Sequence, residues 1–127
     1  MAVASSIGRD PALLEEFIDS FGVWEVARPY LHLIVGDNEM RLVLALRGQP
    51  ATTEGVAGRL GVPVEEAAAL IRRAYSRCVV DRVEQGERVG WSPGTFYGRL
   101  DHFAKYENWD DIPAADRRAI DRRFLDE

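Results

Sequence analysis

The sequence predicts a mostly helical chain with one small β-hairpin, and three observations carry that prediction. Apolar residues recur at helical spacing, as in Leu14, Phe17, Ile18 and Phe21. Only Val79–Gln85 and Arg88–Trp91 are β-prone, and Gly86-Glu87 between them makes a two-residue hairpin turn. Glycine or proline closes most segments, at Gly22, Gly48, Pro50, Gly61 and Pro93.

Taken in order, Asp10 and Pro11 read as N-cap and first helical position, with Glu15 and Glu16 toward the positive end of the helix dipole. Gly22 closes this helix. Val23–Val35 is apolar but interrupted by Pro29, which predicts a short helix followed by an extended piece. Asp37 caps the next helix, Asn38–Arg47, whose core face is Met40, Val43, Leu44 and Leu46. Thr53 opens a short helix ending at Leu60, and Pro63 or Val64 begins a longer one reaching about Arg77. After the hairpin, Thr95 to about Glu107 is helical, and Pro113 starts a last helix still running at Glu127. The chain divides into an N-terminal helical extension (1–36), a central unit (37–94) and a C-terminal helical extension packing on it (95–127).

Within the central unit, Thr53 to Arg72 has the residues of a helix-turn-helix. Two helices crossing steeply need a small residue where they touch, which Ala57 supplies. Their turn needs tolerance of positive φ, which Gly61 supplies. Val56, Leu60, Val62, Ala67 and Leu70 fill the buried positions. With Asn38–Arg47 as a first helix and the hairpin as a wing, the unit is expected to be a winged helix-turn-helix, a superfamily it resembles.

Charge argues against the usual work of that fold. The 127 residues carry a net charge of −5, and Lys105 is the only lysine. Phosphate-binding domains are generally basic, because Lys and Arg displace condensed counterions. At the start and outer face of the second helix stand Pro63, Val64, Glu65, Glu66, Ala68 and Ala69. The carboxylates repel phosphates, and the alanines cannot make paired hydrogen bonds to base edges. Glutamates favour the start of any helix, so their presence is explained without a ligand. The DNA-binding alternative relies on Arg72, Arg73, Arg77 and Arg88, with Arg82 beside them, in a regulator dimerised through its N-terminal helices.

The last third is aromatic: Phe96, Tyr97, Phe103, Tyr106, Trp109 and Phe124. Phe96, Leu100, Phe103 and Tyr106 share helical spacing, which suits packing onto the central unit; the competing reading is a protein interface, where aromatics and Arg are enriched. The contact residues of that reading are Trp109, Phe124 and Leu125 with the face Arg117, Arg118, Arg122 and Arg123. Asp121 and Asp126 lie four residues after Arg117 and Arg122, a spacing for intrahelical pairs.

The Asp37–Arg82 block, and the stretch from Thr95 through Trp109 and Pro113 into the Asp-Arg-Arg helix, resemble the N-terminal winged-helix segments of bacterial 4Fe–4S cluster oxidoreductases. The resemblance covers about residues 30–127. In such proteins the cluster-binding cysteines lie beyond this segment, and no cluster site transfers to this chain. The resemblance implies an accessory or regulatory module near redox enzymes, with an iron–sulfur or flavin oxidoreductase subunit as its protein partner, and nothing about catalysis.

Other chemistry finds little support. Cys78 is the one cysteine, expected as a small buried group, with a redox-sensing thiol beside Arg77 as the alternative. His32 and His102 belong to no metal-ligand spacing. Asp110, Asp111 and Asp116 around Pro113 read as turn and helix-start residues. Gly86, Gly90 and Gly94 form no phosphate loop, so no catalytic, metal or cofactor residues are assigned. Met1–Gly8 lacks the pattern of a secretory leader and no apolar run is long enough to span a membrane, which makes the cytoplasm the expected compartment.

Overall fold

The computed structural model describes residues 10–126, so the readings of Met1–Gly8 and of Glu127 lie outside the described residues. The chain is mostly helical with one two-stranded antiparallel hairpin. Its elements are α1 (Pro11–Phe21), a 3-10 stretch (Glu25–Tyr30), α2 (Leu31–Ile34), α3 (Asp37–Leu46), α4 (Thr53–Leu60), α5 (Val64–Ser76), β1 (Val80–Gln85), β2 (Arg88–Pro93), α6 (Phe96–Tyr106), a 3-10 turn (Trp109–Asp111) and α7 (Ala114–Asp126).

α1 starts where the Asp10 carboxylate accepts the Ala12 and Leu13 amides at 3.1 and 3.3 Å, satisfying donors the helix leaves open. Phe17, Ile18 and Phe21 are buried from it, and Gly22 ends it at φ 73°. Glu15 and Glu16 fall beyond its first turn, so they add little to the dipole interaction.

Two local expectations are corrected. The segment after Pro29 is helical, not extended: Pro29 lies inside the 3-10 stretch, which runs directly into α2. Ala27, Leu31 and Ile34 bury one face at helical spacing while Pro29 points to solvent, so its missing donor breaks one bond without diverting the path. At α3 the cap is Gly36, and it is Glu39 Oε1 that accepts the Gly36 amide, at 2.9 Å; Asp37 is the first helical residue. From α3, Met40, Leu42, Val43 and Leu46 are buried.

α4 is capped by Thr52, whose hydroxyl accepts the Gly55 amide at 3.2 Å. Gly61 turns the chain at φ 68°, and the Val62 amide donates back to Ala57 O at 3.1 Å. Val56, Ala57 and Ala67 are buried where α4 and α5 meet, with Leu60, Val62 and Leu70 packed around them.

α5 ends on a turn that normally needs glycine. The Val79 amide donates to Ala74 O (2.9 Å) and the Cys78 amide to Tyr75 O (3.1 Å), with Cys78 at φ +64°. Cys78 is therefore half-buried in a left-handed conformation, not the fully buried filler expected of it. The carbonyls of Cys78 and Val79 then face Gly94, where a Cβ would lie 2.9 Å from each. Glycine at 94 is what lets β2 leave the sheet and enter α6.

The hairpin pairs Val80 with Pro93 through Gln85 with Arg88. Ala51 adds an isolated antiparallel bridge to β2: Trp91 N donates to Ala51 O at 2.8 Å and Ala51 N to Trp91 O at 3.1 Å. The Trp91 indole also donates to the Thr53 hydroxyl at 3.2 Å and meets Tyr75 edge-on, locking hairpin, α4 and α5 together.

One core runs through the N-terminal, central and C-terminal segments alike. The aromatic layer of the C-terminal third packs chiefly on the N-terminal extension: Phe96 meets Phe21 and Trp24, and Phe124 lies between Trp24 and Tyr97, each 5.0 Å away between ring centres. Tyr106 departs from the expected stripe and is exposed, while Arg99 takes a place on the buried face of α6. Among the described residues no helix is long and apolar enough to cross a membrane.

Candidate functional site

The residues singled out from the sequence fall into three groups that the fold treats differently. On α5, Pro63, Val64, Glu65, Glu66, Ala69, Arg72 and Arg73 are exposed, and Ala68 is half-buried. Arg82 and Arg88 are exposed on the hairpin. Arg77 leaves this group. It follows the last turn of α5 and points inward, so the expected basic strip lacks one of its arginines.

Arg77 belongs instead to a buried ionic clamp. Its Nη2 donates to Ile34 O at 3.2 Å, its Nε lies 2.8 Å from Glu39 Oε2, and its Nη1 lies 3.4 Å from Glu107 Oε1. The Nε–Oε2 approach is too poorly directed for a hydrogen bond, so that pair is an ionic contact. Arg99, wholly buried, is the centre of the clamp. It donates from Nε to Ile34 O (2.7 Å), from Nη1 to Arg77 O (2.8 Å), and in a fork from Nη1 and Nη2 to the two Glu107 oxygens (2.8 and 2.6 Å). His102 Nδ1 lies 3.2 Å from Glu107 Oε2. The Arg99 hydrogen bonds, helped by the charges of Arg99, Arg77 and His102, hold the Glu107 carboxyl below the usual carboxylate range against the opposing effect of burial. The clamp joins the end of α2, the start of α3, the end of α5 and both ends of α6.

Nothing in the sequence had marked Arg99 or Glu107. The available signal was Arg99 itself, placed between Phe96 and Leu100, Phe103 on an otherwise apolar stripe. A planar cation on a buried stripe requires several fixed acceptors.

The third group lies on α7 and its approach. Trp109 is half-buried, edge-on to Phe103. Arg117 bonds Asp110 at 2.8 Å, across the turn, rather than making the expected intrahelical pair with Asp121. Arg123 lies over the Trp24 ring at 5.3 Å, and Phe124 completes the aromatic layer. Tyr30 donates its hydroxyl to Asp116, tying α7 to the 3-10 stretch; that bond and the carboxylate's charge raise the phenol above its ordinary pKa. Of the proposed contact residues, Arg118, Arg122, Arg123 and Leu125 stay open to solvent, with Leu125 84% exposed.

Two shallow grooves flank α7. One of about 510 Å³ runs along Trp24, Glu25, Val26, Ala119, Arg122 and Arg123. The other, about 490 Å³, lies between α6 and α7 along Tyr97, Ala104, Lys105, Asp121, Phe124 and Leu125. Both are open troughs, better suited to side chains of another macromolecule than to enclosing a small substrate. Among the described residues no three His, Cys, Asp or Glu side chains converge as metal ligands.

No family model matches the chain, and no curated protein matches it. Among solved structures, the crystal structure of RV1404 from Mycobacterium tuberculosis is similar over 98% of this chain and 82% of that one, at 18% identity and a TM-score of 0.46. A likeness of that degree assigns neither a fold family nor a role.

Proposed function

We propose that the chain is a non-catalytic winged-helix module that works by binding protein, as an accessory or regulatory subunit. The observation that carries this reading is the fate of Arg77. Three helices followed by a hairpin would bring it to a DNA-facing strip, yet it is spent on the interior clamp. What is left on α5 begins with Glu65 and Glu66, and phosphates are repelled there. The protein-facing surface is the α7 side, where Arg122 and Arg123 border one groove and Leu125 the other. Arginine is enriched at protein interfaces, and the exposed Leu125 offers apolar area to bury there. The resemblance to winged-helix segments of 4Fe–4S oxidoreductases makes an iron–sulfur or flavin oxidoreductase subunit the partner to test first, in the cytoplasm.

Fluorescence anisotropy with mixed-sequence duplex DNA at low salt tests the exclusion. No binding is expected, and Arg72→Glu changes nothing; affinity that falls steeply with salt and weakens in Arg72→Glu overturns it. In-cell crosslinking of wild type and Leu125→Glu tests the surface. The crosslinked partner is expected to disappear in the variant, and an unchanged crosslink pattern moves the interface elsewhere.

A further inference from the structure

The outer face of α5 has an order of its own. Glu65, Glu66, Ala69, Arg72, Arg73 and Ser76 are exposed, while Ala67, Ile71 and Ala74 turn inward. Along the exposed face come two carboxylates, then an alanine, then two guanidiniums. Side chains on one helix meet at spacings of three or four residues. The two glutamates lie six to eight residues from the two arginines in sequence. They are too far apart to neutralise one another within the helix. Among the described residues none of the four makes an ion pair.

The pattern is self-complementary about Ala69. Turned end for end around that residue, Glu65 comes opposite Arg73, Glu66 opposite Arg72, and Ala69 opposite itself. We propose that α5 is a homodimerisation helix: two copies of this chain pack their α5 helices antiparallel on a twofold axis at Ala69, with Glu65 and Glu66 of each facing Arg72 and Arg73 of the other. A twofold contact of this kind requires one patch that complements itself, which is the property observed. A small side chain at the crossing allows helix axes to approach to about 8 Å. Antiparallel helices also bring the acidic start of one beside the basic end of the other, in the sense the helix dipoles favour.

One face of a 13-residue helix is small for a stable dimer. The association is therefore weak and held largely by charge, so it weakens as salt screens the pairs. It involves neither the α7 surface nor its partner, and it covers the face that would otherwise approach nucleic acid.

Sedimentation velocity on the full chain tests the proposal through charge exchange. Wild type is expected to dimerise at low ionic strength and to dissociate at about 0.5 M salt, where the screening length falls below about 5 Å. Glu65→Arg/Glu66→Arg and Arg72→Glu/Arg73→Glu are each expected to be monomers, at least about a hundredfold weaker in association, because like charges now face one another. An equimolar mixture of the two variants regains the dimer, since one α5 is wholly basic and the other wholly acidic. All four positions are exposed, and circular dichroism checks that both variants stay folded. A wild type that stays monomeric at low salt, variants that dimerise as wild type does, or a mixture that remains monomeric each overturns the proposal.

Discussion

The C-terminal helices are fastened by two unlike attachments. Close to Ile34, α6 is held by ions: Arg99 reaches two backbone carbonyls and both oxygens of Glu107 from within the core. Farther out, α7 is held by rings, with Phe124 against Trp24 and Tyr97 and Arg123 over the Trp24 face. The aromatic attachment depends on area and tolerates adjustment. The ionic one depends on a planar guanidinium meeting acceptors at fixed positions, and it fails as a unit because an orphaned buried charge is costly. The clamp therefore fixes how α6 is set against α5, and the aromatic layer supplies bulk cohesion.

That contrast can be broken at several points. Removing the clamp's centre has the largest expected effect: Arg99→Ala destabilises by about 3–5 kcal/mol, since Glu107 loses its forked donor and the Ile34 and Arg77 carbonyls each lose a hydrogen bond. Urea denaturation measures it, and a loss below about 1 kcal/mol would show the clamp to be incidental. Trp24→Ala is expected to cost about 3–4 kcal/mol by opening a cavity among Phe96, Tyr97 and Phe124. Its signature differs. Phe124→Leu should recover most of the cohesion lost in Phe124→Ala, whereas Arg99→Lys should behave much like Arg99→Ala because a lysine cannot make the fork.

Glu107→Gln sharpens the electrostatic side. It keeps the shape and removes the charge, for an expected cost of about 1–3 kcal/mol at pH 7. Because folding lowers the Glu107 pKa, its contribution is present above the ordinary glutamate value of about 4.3 and is lost as pH falls through the folded value. The difference between wild type and Glu107→Gln should shrink as acid is added below about pH 5, measured by urea midpoints across that range. A constant difference would assign the cost to packing instead of charge.

The smallest effect tests the backbone beside the clamp, next to Arg77. Cys78→Gly relieves a left-handed non-glycine residue and should stabilise by up to about 1 kcal/mol in thermal unfolding, the loss of a half-buried thiol offsetting part of the gain. Cys78→Val should destabilise, since a β-branched side chain tolerates that conformation poorly.

Much of the architecture was legible before any coordinates. The Asp10-Pro11 start, the Gly61 turn between α4 and α5, and the Gly86-Glu87 hairpin are local signals, each requiring only residues near in sequence. The Pro29 region was misread because a proline's effect depends on which face of the helix it occupies, and burial of Leu31 and Ile34 decided that. The bounds read for α4, Thr53 to Leu60, are those observed, while its cap at Thr52 had not been assigned.

Of the candidate sites, the sequence by itself determined the charge order of α5: Glu65 and Glu66 at one end, Arg72 and Arg73 at the other, with uncharged residues between. Helical periodicity is enough to place them on one face. Only the tertiary structure decided which arginines are available. Arg73 and Arg77 are one turn apart and chemically identical, yet Arg73 is exposed and Arg77 faces Glu39 and Glu107. The same holds for the C-terminal aromatics, whose surroundings come from Phe21 and Trp24, some seventy or more residues earlier in the chain. A side chain's neighbours across such distances depend on how the segments pack, and burial of an ion is settled only when all its acceptors arrive together.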